Sequence, residues 1–261
     1  MVRVWLVTTA TALAIVMTAR IGHAQIVNVQ SALARPPDKD DVGGQAELKL
    51  NWQEGNNPLF DIGGAGNVVM RRGPVLGLVL ARGEYGTSRG LTLARKTFEH
   101  VRARIELDGR WRWEVFAQHE YDQFRRLSLR ALVGTGPALQ ILDEAAVGVL
   151  AGAAYLFELE RLDRRTGTVD AGRRTTDHRG SVYVTGHEDL ATGVTIVETV
   201  YAQPRFDHPG DVRVLGQLEI QTKLSSRIAL KDSVNVAYDR TPPDTVKRYD
   251  TQLEIALIVT F

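Results

Sequence analysis

Tyr249-Asp-Thr-Gln-Leu-Glu-Ile-Ala-Leu-Ile-Val-Thr-Phe261 is the stretch that decides the fold. Its odd positions are Tyr249, Thr251, Leu253, Ile255, Leu257, Val259 and Phe261, and its even positions are Asp250, Gln252, Glu254, Ala256, Ile258 and Thr260. One side is apolar with an aromatic at each end; the other is mostly polar or small. A helix would gather its apolar residues at a 3.6 spacing, so a period of two reads as a strand. Strands of about 9–11 residues with aromatic ends cross outer membranes. This register predicts that Tyr249, Leu253, Ile255, Leu257, Val259 and Phe261 face lipid.

Working outward, the alternation recurs. Val101, Ala103, Ile105 and Leu107 alternate with His100, Arg102, Arg104 and Glu106, and Trp111, Trp113, Val115 and Ala117 alternate with Arg112, Glu114 and Gln118. Turning the first of these over would place Arg102 and Arg104 in lipid at roughly 2–4 kcal/mol each near the midplane. Opposed residues share a face, so the two strands need an odd-numbered connection. A three-residue turn, Asp108-Gly109-Arg110, pairs Ile105 with Trp113 and Ala103 with Val115 outside, and Glu106 with Arg112 and Arg104 with Glu114 inside.

The pattern gives about twelve strands, with 10 to 14 as the range. They lie near residues 45–54, 60–71, 74–85, 97–107, 111–121, 126–138, 147–160, 179–188, 193–203, 211–224, 228–239 and 248–261. Connections alternate between short ones (such as Ser225 to Arg227) and longer polar ones (Gly86 to Lys96, Leu162 to His178, Pro204 to Gly210, Arg240 to Lys247), as outer-membrane barrels require. Two places fit poorly: Asp232 falls on an apolar face, and in 193–203 Val197, Thr199 and Tyr201 compete with Ile196 and Val200 for the lipid side. The final Phe261 is similar to the terminal signature by which barrel-assembly machinery recognises such proteins.

Composition supports an exported all-β chain. Its 261 residues carry a formal charge of +1 and no cysteine, which removes disulfides, thiolate metal sites and any global case for nucleic-acid binding. A mean hydropathy of −0.15 excludes a bundle of membrane helices. Residues 1–24 read as a signal peptide, with Arg3, an apolar core from Val4 to Ala19, and cleavage between Ala24 and Gln25 after Gly22-His23. Residues 25–44, ending in Arg35-Pro-Pro-Asp-Lys-Asp-Asp-Val-Gly-Gly44, read as an extended periplasmic linker, and 45–261 as the barrel.

Motifs for chemistry are sparse. Gly148 and Gly152 have the spacing of membrane-helix contacts, but the apolar run from Ala145 to Leu159 is too short to span as a helix and reads as a strand. Gly63-Gly-Ala-Gly66 and Gly134-Thr-Gly136 complete no phosphate-loop pattern. The sharpest enzyme hypothesis places His119-Glu120 near Ser128, with a second cluster at His187-Glu188-Asp189; yet alternation points His119 and Glu120 to opposite faces. No metal or cofactor is expected. The best lead is charge pointed into the lumen: Arg102, Arg104, Glu106, Arg112, Glu114, Glu120, Arg130, Glu158, Glu219, Lys223, Asp250 and Glu254. Such charges select solutes in a wet pore or pair and close a narrow barrel.

Tyr121-Asp-Gln-Phe124, Arg130, Gly134-Thr-Gly136, Tyr238-Asp-Arg-Thr-Pro-Pro243, Lys247, Asp250 and Phe261 together resemble the putative salt-induced outer membrane protein family, a domain of unknown function. The likeness covers roughly residues 45–261, with Gly55-Asn56-Asn57 where the family has Gly-Asn-Thr. It implies an outer-membrane β-barrel and transfers no catalytic residues. The sequence therefore predicts an antiparallel transmembrane β-barrel in the bacterial outer membrane, with both termini in the periplasm. Its partners are membrane lipid, the export and assembly machinery, and small ions or solutes. The expected function is an envelope role or restricted solute passage linked to salt or osmotic stress. The alternatives are a barrel lipase or deacylase and a soluble periplasmic protein that binds an apolar ligand.

Overall fold

The computed structural model describes residues 26–34, 36–37, 40–54, 58–190 and 193–261. The predicted signal segment 1–24 and the predicted Ala24/Gln25 cleavage site lie outside the described residues. Twelve strands follow in chain order: β1 (Val42–Gln53), β2 (Leu59–Arg72), β3 (Val75–Ser88), β4 (Leu91–Asp108), β5 (Trp111–Asp122), β6 (Leu127–Asp143), β7 (Val147–Leu162), β8 (Arg174–Leu190), β9 (Val194–Pro204), β10 (Val212–Lys223), β11 (Ile228–Asp239) and β12 (Tyr249–Thr260). Each pairs antiparallel with its chain neighbours, and β12 returns to β1 to close the barrel.

The period of two sets the two surfaces. On β12, Leu253 and Ile255 are 70% and 57% exposed, while Ala256 and Ile258, on the opposite parity, are 5% and 1% exposed. Tyr249, Leu257, Val259 and Phe261 are likewise exposed. Val79, Val101, Val115, Val133, Val182 and Val200 continue the apolar exterior around the ring. An exposed apolar surface that encircles the molecule is far larger than water tolerates, and a closed, even-stranded sheet is the β-structure that lipid accepts. The chain is an integral membrane barrel of the outer-membrane type.

Closure is uneven. β7 and β8 pair continuously from Val147↔Glu188 to Arg161↔Arg174. β1 and β12 pair only from Gln45↔Thr260 to Leu48↔Leu257, extended by reciprocal 3.0 Å backbone hydrogen bonds between Gly44 and Phe261. Among the described residues, 49–53 of β1 have no ladder partner on β12.

The two ends differ. A turn end carries the connections 73–74, 109–110, 144–146, 191–193 and 224–227, and a loop end carries 123–126, 163–173, 205–211 and 240–248. Several expectations need correction here. The long loop expected from Gly86 to Lys96 is mostly strand: β3 and β4 continue to a two-residue turn at Arg89 and Gly90, both at positive φ. The loop expected over Leu162 to His178 shortens to 163–173, because β8 starts at Arg174. In the β4–β5 hairpin the four pairings around Ile105↔Trp113 are present, but Asp108 pairs with Trp111 and the register shifts between Glu106 and Asp108. The odd count is met by a bulge beside a Gly109-Arg110 tip rather than by a three-residue loop. In β9, Val197, Thr199 and Tyr201 are buried inside, and Ile196 and Val200 take the outer face.

Candidate functional site

The site is the barrel lumen, and its most prominent occupant is the chain itself. The sequence predicts an extended periplasmic linker over 25–44; the described residues 26–34 run inside the barrel. Val27, Val29 and Leu33 pack on Val69, Leu76, Leu78, Leu80 and Phe98, the inner faces of β2, β3 and β4. Ile26 packs on Ala138, Leu150, Tyr183, Tyr201, Leu215 and Ala237 from the opposite wall. The physical cause lies in β3. Its run Val75-Leu-Gly-Leu-Val-Leu80 is apolar on both faces, so Leu76, Leu78 and Leu80 would line the bore with hydrocarbon. The N-terminal segment covers them, leaving each 6% exposed or less.

Polar groups fix the plug's register. Arg104 Nη2 donates to Gln30 Oε1 at 2.8 Å, Asn28 Nδ2 donates to Gln217 Oε1, and Tyr201 Oη donates to Asn28 Oδ1 at 3.5 Å. A short 3-10 turn, Ser31–Leu33, then leads the chain out at the turn end. There Arg71 Nε donates to the Pro37 carbonyl at 2.6 Å, and the Gly73 amide to Asp40 Oδ1 at 2.8 Å. β1 consequently starts at Val42, three residues before the expected boundary.

The inward charges form layers. Beside the plug, Glu114 accepts from Arg102 Nη1 at 3.0 Å, from Arg104 Nε at 2.8 Å and from the Tyr183 hydroxyl at 2.8 Å, and the Arg102 guanidinium lies 4.5 Å from the Phe116 ring centroid. Toward the loop end, Glu120 binds Arg125 and Arg130. Arg130 reaches Glu160 at 2.8 Å, and Arg213 joins Glu158 at 2.8 Å, Glu160 at 3.0 Å and Asp239 at 3.2 Å. Near the seam, Lys231 binds Glu47 and lies 3.6 Å from Glu254, while buried Glu219 accepts from Gln221 at 2.6 Å. Glu106 pairs with Arg71 at 3.0 Å. Lys223 is exposed at the turn end and Asp250 is half-buried on β12. Arg112 has a buried Nη1 with no hydrogen-bond partner, and no carboxylate lies within ion-pair distance of it among the described residues.

Room for a solute opens at the turn end. A cavity of about 700 Å³ opens below the plug, lined by Gln30, Leu33, Arg71, Arg104, Arg112, Asp143 and His187 among others. Deeper voids beside Ile26 and Val27 are about 20 and 30 Å³, room for little more than one water each. The opposite mouth carries a latch. Arg126, fully buried and at φ +59°, donates to Asp163 at 3.0 Å, to Asp170, to the Thr168 hydroxyl at 2.7 Å and to the Asp244 carbonyl at 3.0 Å. These groups come from the β5–β6, β7–β8 and β11–β12 loops, and the first and last of these stand on opposite sides of the ring. Burial alone would raise the Asp170 carboxyl, but the Asp244 amide and the Arg126 guanidinium outweigh it and hold it below its ordinary 3.8.

Alternation separates the residues of the enzyme hypothesis. His119 faces outward against Glu99 at 2.5 Å, and Glu120 faces inward onto Arg125 and Arg130. No hydrogen bond joins His119 to Ser128 among the described residues. His187 points inward over Gly148, where a Cβ would meet its ring at 2.3 Å. Neighbouring Glu188 has the opposite parity on the strand.

Fold and lumen define a plugged outer-membrane-type barrel. The chain belongs to the family described as protein of unknown function, DUF481, whose model matches residues 31–261. No curated protein matches it. Among solved structures it is similar to an outer membrane channel from Pseudomonas putida F1, at 10% identity and TM-score 0.51, covering 87% of this chain and 99% of that one. It is also similar to the NanC porin, at 8% identity and TM-score 0.50, covering 84% and 98%. At these identities the likeness is one of fold.

Proposed function

We propose that the protein is a restricted passage for small solutes or ions across the outer membrane, with its own N-terminal segment as the gate. The turn end faces the periplasm and the loop end the exterior. Export removes residues 1–24, so the plug is the new N-terminus, beginning at Gln25. The observation that carries this reading is the occupant of the bore. It is a stretch of nine described residues held by packing and by side-chain hydrogen bonds such as Arg104–Gln30, Asn28–Gln217 and Tyr201–Asn28, without any covalent tie across the lumen. Ordering such a segment costs about 1–2 kcal/mol per residue, against about 1.5–3 kcal/mol for each buried apolar side chain. A seat so nearly balanced releases readily. Behind it, Arg112 presents to the vestibule a guanidinium whose Nη1 has no hydrogen-bond partner among the described residues.

Planar-bilayer recording tests this. Removing residues 26–34 is expected to convert rare, brief openings into sustained conductance steps, with heat-modifiable gel migration reporting that the barrel still folds. A folded, plugless barrel that stays silent would favour the second reading, a structural barrel closed by its ion pairs, which the continuous Glu120–Arg130–Glu160–Arg213 chain supports. The family resemblance extends the proposal to the envelope's response to salt. Unchanged growth and envelope integrity of a deletion strain at raised salt would remove that part.

A further inference from the structure

On the outside of the β7–β8 hairpin, Arg161 and Arg174 stand directly opposite each other. Both are exposed, and neither has a carboxylate within ion-pair distance among the described residues. Like charges placed opposite each other across a ladder are destabilising, so the pair calls for a counter-charge that the described residues do not supply. The same hairpin tip adds Arg164 and Arg173. Its two acids, Asp163 and Asp170, are both turned onto Arg126.

What lies beneath the pair identifies the counter-charge. Tyr155, Phe157, His178 and Phe206 form one outward ring cluster, with centroids 5.8 Å apart for Tyr155–His178, 5.5 Å for Phe157–His178 and 6.1 Å for Tyr155–Phe206. Such belts mark the edge of the hydrocarbon. Arg161 is four residues beyond Phe157 on a tilted strand, which lifts its guanidinium about 10 Å above the belt. That is the height of lipid headgroups. Arginine's planar fork matches phosphate oxygens two at a time.

We infer that Arg161 and Arg174 bind a phosphate of an anionic glycolipid in the outer leaflet, which bridges the two guanidiniums and anchors the hairpin to the membrane surface. The inference rests on the orientation proposed above but not on conduction, so it survives or fails separately from the channel reading.

The test uses the full chain in phosphatidylcholine nanodiscs with and without lipid A. Retained lipid is read by native mass spectrometry and the unfolding midpoint by heating. R161Q/R174Q is expected to retain lipid A about tenfold more weakly, whereas Arg227→Gln at the opposite end leaves retention unchanged. The single variant Arg174→Gln is expected to raise the midpoint in phosphatidylcholine alone, by relieving repulsion, and to lower it once lipid A is present. Equal retention by the double variant, or a midpoint change of the same sign in both membranes, would overturn the proposal. Displacement of lipid A by millimolar inorganic phosphate would overturn the lipid assignment and leave a site for free phosphate.

Discussion

Between β7 and β8 the barrel wall is paired along its full length, with Glu158 and Glu160 on its inner face neutralised by Arg130, Arg179 and Arg213. Between β1 and β12 the ladder runs only from Gln45 to Leu48 on one strand and from Leu257 to Thr260 on the other. Its inner face offers the shorter chain Glu47–Lys231–Glu254. The contrast teaches that this barrel is not a uniform cylinder. One side is a plate braced by desolvated ion pairs; the other is a seam with a short ladder, which is expected to open first.

Matched substitutions on the two sides give the largest expected difference. Glu158→Ala strips a buried partner from Arg213 and Arg179 and is expected to cost about 3–5 kcal/mol in denaturant unfolding. Glu254→Ala leaves Lys231 its contact with Glu47 and is expected to cost at most about 1 kcal/mol. Equal costs would dissolve the contrast between plate and seam. A smaller effect sharpens the seam itself. A Cβ on Gly44 would lie 2.6 Å from the Phe261 ring and 2.8 Å from the Asn67 carbonyl oxygen. Gly44→Ala is therefore expected to cost about 1–3 kcal/mol and to speed amide exchange in β12 more than in β7. Gly66→Ala, whose nearest neighbour is 3.9 Å away, is expected to leave both within about 0.5 kcal/mol of the parent.

Much of this architecture was legible as periodicity. The twelve strands, the two faces of β12 and the inner pairing of Arg104 with Glu114 follow from alternation and hairpin parity, because a strand's side chains have only two directions. Alternation places Asp232 on the apolar face, and it stands there between Leu230 and Val234 although its charge argues against it; the structure offers no physical account of why an acid stands there. The plug is hidden in the sequence because the prolines and charges of 35–44 dominate the composition of 25–44. Two signals could have found it. Ile26-Val-Asn-Val29 is rich in β-branched residues and unlike a tether, and Val75 to Leu80 is apolar on both faces, so its inner face needed a cover that a wet pore could not provide. The loop latch left no local signal either, since Arg126 gathers residues more than 100 positions apart.

In the proposed gate, residues 26–34 hold the lumen shut. The chain has no cysteine, so Asn28→Cys and Gln217→Cys, the two ends of one plug hydrogen bond, can be joined by a short cleavable thiol cross-linker. Conductance is then recorded before and after cleavage. Efficient cross-linking, a silent bilayer while the link is intact, and openings at the parent frequency once it is cut are the expected results. Failure to cross-link, or identical conductance before and after cleavage, would contradict the proposed gate.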